Sequence, residues 1–142
     1  MLFRSAVQHL SPTHASVLAE ILARETRMPV AEIREGTKLA PNHVYVMPPN
    51  ASLVVRDGVL HLAPLAERRG PGRGIDAFMR SLAEDVGHLS VGVILSGSDA
   101  DGTQGLAAVK AAGGITFAQD SSAMHDSMPR SAVAAEIGRA HV

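Results

Sequence analysis

Two stretches of this chain carry side chains able to move a proton. His9 closes the short run Ala6-Val7-Gln8-His9, and Ser96-Gly97-Ser98-Asp99-Ala100-Asp101-Gly102 follows the apolar run Val91-Gly92-Val93-Ile94-Leu95. An imidazole titrates near neutrality and suits general-base work. A carboxylate that accepts the other ring N–H fixes the tautomer and stabilises the imidazolium that forms. His9 and an aspartate of that turn, Asp99 or Asp101, thus offer the base and orienting acid of a hydroxyl–imidazole–carboxylate triad. The hydroxyl is the gap. No serine of the chain stands in a Gly-x-Ser-x-Gly elbow, and Ser96 and Ser98 share the turn with the proposed aspartate.

Each piece also has a bland reading. The chain holds seven histidines, and the six besides His9 have no comparable context. Asp99 or Asp101 could simply cap the helix that follows. A calcium loop fails on spacing: counted from Asp99, the sixth position is Gln104 instead of Gly and the twelfth is Lys110 instead of Glu. Gly97, Gly102 and Gly105 near a helix start suggest a phosphate cradle. Their spacing matches neither G-x-G-x-x-G nor a P-loop, and Asp99 and Asp101 would repel the anion.

These residues need elements to position them. Residues 6–9 read as the tail of a strand. Ser11-Pro12 opens a helix, since Ser caps and Pro fits the first turn. Val17, Leu18, Ile21 and Leu22 continue it at helical spacing to about Arg24, and Met28-Pro29 breaks it. Residues 30–62 read as strands. Val44-Tyr45-Val46 is one, ended by Pro48-Pro49, and Leu53-Val54-Val55 pairs with Val59-Leu60-His61-Leu62 across an Asp57-Gly58 hairpin turn. Residues 64–74 are rich in Pro, Gly and Arg and read as a surface loop, whose Arg68, Arg69 and Arg73 are solvated or meet an acidic partner. Ile75, Phe78, Met79 and Leu82 give a helix over 75–86 its apolar face. Val91 to Leu95 reads as a buried strand, Leu106 and Val109 mark a helix ended by Gly113-Gly114, and Ile115-Thr116-Phe117-Ala118 is a further strand. Strand–helix–strand implies a right-handed parallel crossover. The expected fold is α/β: a three-layer, doubly wound, mainly parallel sheet with an inserted β-hairpin. In such sheets ligands and catalytic groups gather at the carboxyl ends of the strands, where both candidate residues fall.

Bulk properties agree with one globular domain. The chain has 142 residues, 46% of them hydrophobic and only 3% aromatic, so its core is aliphatic, as a helix-covered parallel sheet requires. Thirteen basic against fourteen acidic side chains leave a net charge of −1, and no basic stripe or aromatic platform points to nucleic acid. The absence of cysteine removes disulfides, thiolate nucleophiles and Cys-based zinc sites, and is compatible with the cytoplasm. No apolar run is long enough to span a bilayer, and no secretory signal pattern is present.

Five segments, in order, resemble the CheB-type chemotaxis methylesterase domain: Val7-Gln8-His9-Leu10-Ser11-Pro12; His43-Val44-Tyr45-Val46-Met47-Pro48-Pro49-Asn50; Gly92-Val93-Ile94-Leu95-Ser96-Gly97 with Asp101-Gly102; Gly113-Gly114 with Ala118-Gln119-Asp120; and Met128-Pro129-Arg130-Ser131-Ala132. The wording is nearest to a branch fused to a receptor methyltransferase, which makes such a domain an expected neighbour. The resemblance implies hydrolysis of γ-glutamyl methyl esters on methyl-accepting chemotaxis receptors and deamidation of receptor glutamines, in the cytoplasm, without a cofactor or metal. His9 matches the family's catalytic histidine and Asp101 its catalytic aspartate. The family's serine lies in a Gly-x-Ser-x-Gly-Gly turn expected upstream of Met1. Leu2 to Ser5 and residues 136–142 resemble translated sequencing adapter, so residues 1–142 are expected to be one partial domain with non-native ends, inactive without its serine.

One departure bears on the chemistry. The family's turn usually reads Thr/Ser-Gly-Met/Thr-Gly-x-Asp-Gly, and here Ser98 replaces Met/Thr while Asp99 replaces the second Gly. An oxyanion donor at residue 98 would be a backbone N–H, so Ser98 is compatible with it. A carboxylate at residue 99 opposes a developing oxyanion and constrains a turn that favours Gly. That substitution leaves a rival reading open, in which the domain docks on receptor or regulates a fused neighbour without hydrolysis.

Overall fold

The computed structural model describes residues 4–6, 17–64, 74–97, 101–135 and 139–140. His9, the helix opening at Ser11-Pro12, the arginines of the 64–74 loop, and Ser98 and Asp99 all lie outside the described residues. The chain divides into two compact units, Met1–Arg69 and Gly70–Val142.

The first unit holds a parallel sheet and an antiparallel one. In the parallel sheet, β1 (Arg4–Ala6) and β2 (Val30–Glu32) flank β4 (Val44–Val46), which pairs with both. Flanked on both sides, Val44, Tyr45 and Val46 are all buried, and their β-branched and aromatic side chains suit that position. The Tyr45 hydroxyl accepts the Ala40 N–H at 2.8 Å, so its polar end is satisfied. Helix α1 (Leu18–Glu25) leads into β2. Thr26 leaves the helix in extended conformation and its Oγ1 accepts the Met28 N–H at 3.1 Å just before Pro29.

The antiparallel sheet has the order β3 (Thr37–Lys38), β6 (Val59–Pro64), β5 (Ala51–Arg56). The hairpin forms where expected. Arg56 pairs with Val59 across Asp57 and Gly58, at φ 50° and 72°. Two successive positive φ values match the right-handed twist of the flanking strands. In that register Val55 faces Leu60, and Leu53, Val55 and Leu60 are buried.

The second unit is a parallel αβ arrangement. Helix α2 (Ile75–Val86) runs through a 3-10 turn (Gly87–Leu89) into β7 (Val91–Ile94). Helix α3 (Thr103–Ala111) crosses to β8 (Ile115–Ala118), which pairs in parallel with β7 and with β9 (Arg139–Ala140). Helix α4 (Ser127–Ala134) lies between β8 and β9 in the chain. Two glycine amides close α3: Gly113, at φ 84°, donates to Lys110 O at 3.0 Å, and Gly114 donates to Val109 O at 2.9 Å. That bond pair satisfies carbonyls the helix end would otherwise orphan. Gly114 has a second reason to lack a side chain, since a Cβ there would stand 2.6 Å from Ser90 O.

The expected burial of β7 needs correction. Gly92 and Ile94 are buried, but Val91, Val93 and Leu95 are 49%, 47% and 58% exposed. Side chains alternate along a strand, and the covered face is the one under the helices. A Cβ at Gly92 would meet Leu106 Cδ1 at 2.7 Å and Met79 Cε and Val109 Cγ1 at 3.7 Å, which places α2 and α3 over that face. The helix expected over 75–86 forms with Ile75, Phe78 and Met79 buried and Leu82 half-buried.

Candidate active site

The turn after β7 carries Asp101, and Asp101 is engaged on both oxygens. Its Oδ2 accepts the Ile75 N–H at 3.0 Å and its Oδ1 the Asp76 N–H at 2.9 Å. These are the first two amides of α2, donors that no helix can satisfy internally. The return contact is as regular. Asp76 Oδ1 accepts the Gly102 N–H at 3.0 Å and the Gly105 N–H at 2.6 Å, at the start of α3. The start of α2 is therefore capped by a carboxylate from the turn leading into α3, and the start of α3 by one from α2. The capping reading of Asp101 holds in kind but not in partner. Asp101 caps α2, some 25 residues back along the chain, and the helix that follows it is capped by Asp76.

Such an exchange demands close helices. A Cβ at Gly105 would lie 2.6 Å from Met79 Cβ and 3.1 Å from Asp76 Cα, so only glycine lets α3 approach α2 this nearly. Gly102 adopts φ 100° with Ile94 Cδ1 2.6 Å from its would-be Cβ, a conformation and a space that both exclude side chains. Arg80 on α2 also donates to Gln104 on α3.

Burial pushes the Asp76 carboxyl above its ordinary value of 3.8. The Gly105 amide pulls it down, and the charge and oxygen of Asp101 push it up again. The folded chain therefore holds this proton more tightly than the unfolded one. The stabilisation from that proton is complete below the unfolded value and fades as pH rises through the raised folded value. Asp76→Asn keeps one oxygen for both glycine amides and cannot titrate. Its urea-unfolding free energy is expected to lose this falling limb. A pH series in which wild type and Asp76→Asn keep the same slope would refute the assignment.

Three further segments of the second unit, around Ser96, Gln119 and Met128, meet at the carboxyl ends of β7 and β8. Ser96 N–H donates to Gln119 Oε1 at 2.9 Å, and Gln119 N–H donates to Ile94 O at 2.8 Å. The Ser96 hydroxyl accepts the His125 N–H at 2.9 Å, and Gly97 N–H donates to His125 O at 2.8 Å. Met128 N–H donates to Gly97 O at 3.1 Å, and its side chain lies where a Cβ on Gly97 would go. Ser96 thus fastens the turn after β7 to Gln119 and His125. In the first unit, His61 Nδ1 lies 2.9 Å from Glu35 Oε1 and holds that exposed carboxyl below the usual range, while His43 stacks on Tyr45 at 6.0 Å.

Asp76 does not stand out in the sequence. Its signal was an Asp in the first turn of a helix, ordinary at any helix start, and its partner lies across the fold. Among the described residues no group of three or more His, Cys, Asp or Glu could hold a metal ion, and no helix is long and apolar enough to cross a membrane.

A family model described as CheB methylesterase matches residues 5–142. An uncharacterized 104.1 kDa protein of Rhodobacter capsulatus, from the hypE 3' region, is 44% identical over 118 residues, covering 82% of this chain and 12% of that protein. A Burkholderia pseudomallei protein named protein-glutamate methylesterase/protein-glutamine glutaminase 1 is 36% identical over 132 residues, covering 89% of this chain and 36% of its own length. The chain thus spans about a third of that methylesterase and a smaller share of the first relative. Among solved structures, the catalytic domain of Thermotoga maritima CheB methylesterase superposes with a TM-score of 0.82 at 26% identity, covering 96% of this chain and 75% of that one. The α/β fold with parallel sheet elements is shared with it.

Proposed function

This chain belongs to the CheB methylesterase family, and we propose that it is part of a protein-glutamate methylesterase and glutamine deamidase domain acting on chemoreceptor helices. The observation that carries the reading is one methylesterase family model running from residue 5 to residue 142, across His9, the Asp101 turn and both units. In this reading the two units are parts of one catalytic domain. Its serine lies in a Gly-x-Ser-x-Gly-Gly turn of a segment preceding residue 1. His9 is the base, and Asp101 orients it.

The chemistry then follows in two halves. His9 takes the serine proton as the oxygen attacks the ester carbonyl. The tetrahedral intermediate collapses, the C–O bond to the methoxy group breaks, and the imidazolium returns the proton to release methanol. Water attacks the acyl-enzyme, again losing a proton to His9. Collapse frees the glutamate carboxyl and restores the serine hydroxyl. With a glutamine substrate the leaving group is ammonia. Backbone N–H groups hold the oxyanion in both halves. A carboxylate offers about four acceptor sites, so the two α2 amides on Asp101 do not by themselves exclude an imidazole N–H.

The test is methanol release from a helical peptide bearing γ-glutamyl methyl esters. The longer natural protein is expected to release methanol, its His9→Ala variant to lose nearly all activity, and the 142-residue chain to release none. Release by the short chain would sink the assignment of the serine to a preceding segment, and full activity in His9→Ala would sink the base. A binding-only module remains the second reading, favoured by Asp99 in place of the family's glycine. Binding of the methylated peptide by the longer protein without methanol release would select it.

A further inference from the structure

We propose that Asp76 is a positioning residue for ester hydrolysis, holding the turn that presents Asp101. This inference rests on the reading of Asp101 as the orienting carboxylate and adds a residue to it.

The geometry separates two tasks. The α2 amides of Ile75 and Asp76 fix the plane of the Asp101 carboxylate, one bond to each oxygen, at 3.0 and 2.9 Å. They do nothing to fix the peptide from which that carboxylate hangs. Asp76 does so. Its Oδ1 takes the amide of Gly102, the residue directly after Asp101, at 3.0 Å, and the amide of Gly105, one turn into α3, at 2.6 Å. Gly102 has left-handed φ; its carbonyl accepts the Leu106 N–H at 2.8 Å as the first bond of α3, and Asp76 is the acceptor for its own N–H. One oxygen of Asp76 therefore ties the residue after the acid to the first turn of α3, and the same residue's amide grips the acid's side chain. Both grips issue from a single residue, so they move together or not at all.

An orienting carboxylate acts only through its placement, and a misplacement near 1 Å is worth about 10²-fold in rate. Asp76→Ala removes the acceptor for Gly102 and Gly105 while leaving the amide that caps Asp101. Asp76→Asn keeps the oxygen and discards the charge. Asp76→Glu keeps the charge and displaces the oxygen by one methylene.

The experiment uses the full-length natural protein and the methyl-ester peptide, with kcat expressed per active site counted by acyl-enzyme burst. A merely structural residue would lower the count of competent sites and the melting temperature but not the turnover of the sites that remain. The expected result is a kcat about 10–100-fold lower in Asp76→Ala with KM within about twofold, a kcat within about threefold of wild type in Asp76→Asn, and a loss of about tenfold in Asp76→Glu. Wild-type kcat per site in Asp76→Ala overturns the proposal, as does a fall in Asp76→Asn equal to that in Asp76→Ala. If Asp76→Ala does not fold, Asp76→Glu decides: full turnover there overturns the claim that acceptor position matters. Asp101→Ala is measured alongside. An inactive Asp101→Ala beside a fully active Asp76→Ala sinks only the role of Asp76, whereas an active Asp101→Ala sinks the triad reading itself.

Discussion

Asp101→Asn in the full-length protein is expected to lower kcat for methyl-ester hydrolysis by about 10⁴-fold, with a folded enzyme left behind. The substitution has a chemical effect and a structural one. An amide cannot stabilise an imidazolium by charge, and its NH2 group can face the ring nitrogen and select the wrong tautomer of His9. The serine proton then has no acceptor. Against this, the structural loss is small. Asn offers one oxygen where Ile75 and Asp76 present two amides, so one bond is lost and an NH2 group is set against an N–H. Losing such a cap costs about 1–2 kcal/mol. That is short of the 5–15 kcal/mol that hold a typical domain together. Thermal melts and steady-state kinetics on the same preparation separate the two effects. A variant with its melting temperature a few degrees lower and its turnover intact would show that Asp101 only caps α2.

The second large effect is on stability. Leu106→Ala in the 142-residue chain is expected to cost about 3 kcal/mol, as for other large aliphatic side chains truncated in a core. Leu106 is 0% exposed and sits over Gly92 of β7. Its removal leaves a hole between α3 and the strand that backbone cannot fill, because both elements are fixed by their own ladders. Urea unfolding should report the loss as a lower midpoint with an unchanged slope. Gly92→Ala offers the complement. Its methyl would clash with Leu106 Cδ1 at 2.7 Å in the wild type but has room once residue 106 is Ala. The double variant should thus lie above the sum of the two losses, since contacting sites couple. Strict additivity would contradict the packing described.

The legible parts of the fold were those dictated locally. Asp57-Gly58 announced the hairpin because a tight turn needs positive φ at both residues, and both have it. Gly113-Gly114 announced the end of α3 for a related reason. Val44-Tyr45-Val46 announced a strand, and the pattern over 75–86 gave the full extent of α2. The run from Val91 to Leu95 misled on burial because uniform aliphatic composition hides which face is covered. Helix α4 was not foreseen, although Asp126 and a Pro129 in its first turn are start signals. At the site, the place after a strand pointed to the turn that holds Asp99 and Asp101, and only the resemblance singled out Asp101. Its partner Asp76 was not singled out, since a contact between residues 25 apart leaves no periodicity to read.

The exchange of carboxylates between α2 and α3 also governs how the site comes apart. Fraying ordinarily begins at a helix terminus and proceeds alone, because terminal amides bond to nothing distant. Here the amides of Ile75 and Asp76 donate to Asp101 in the turn before α3, and those of Gly102 and Gly105 donate to Asp76 on α2. Neither terminus can loosen without releasing the other. These four amides should exchange with solvent deuterium as one cooperative group.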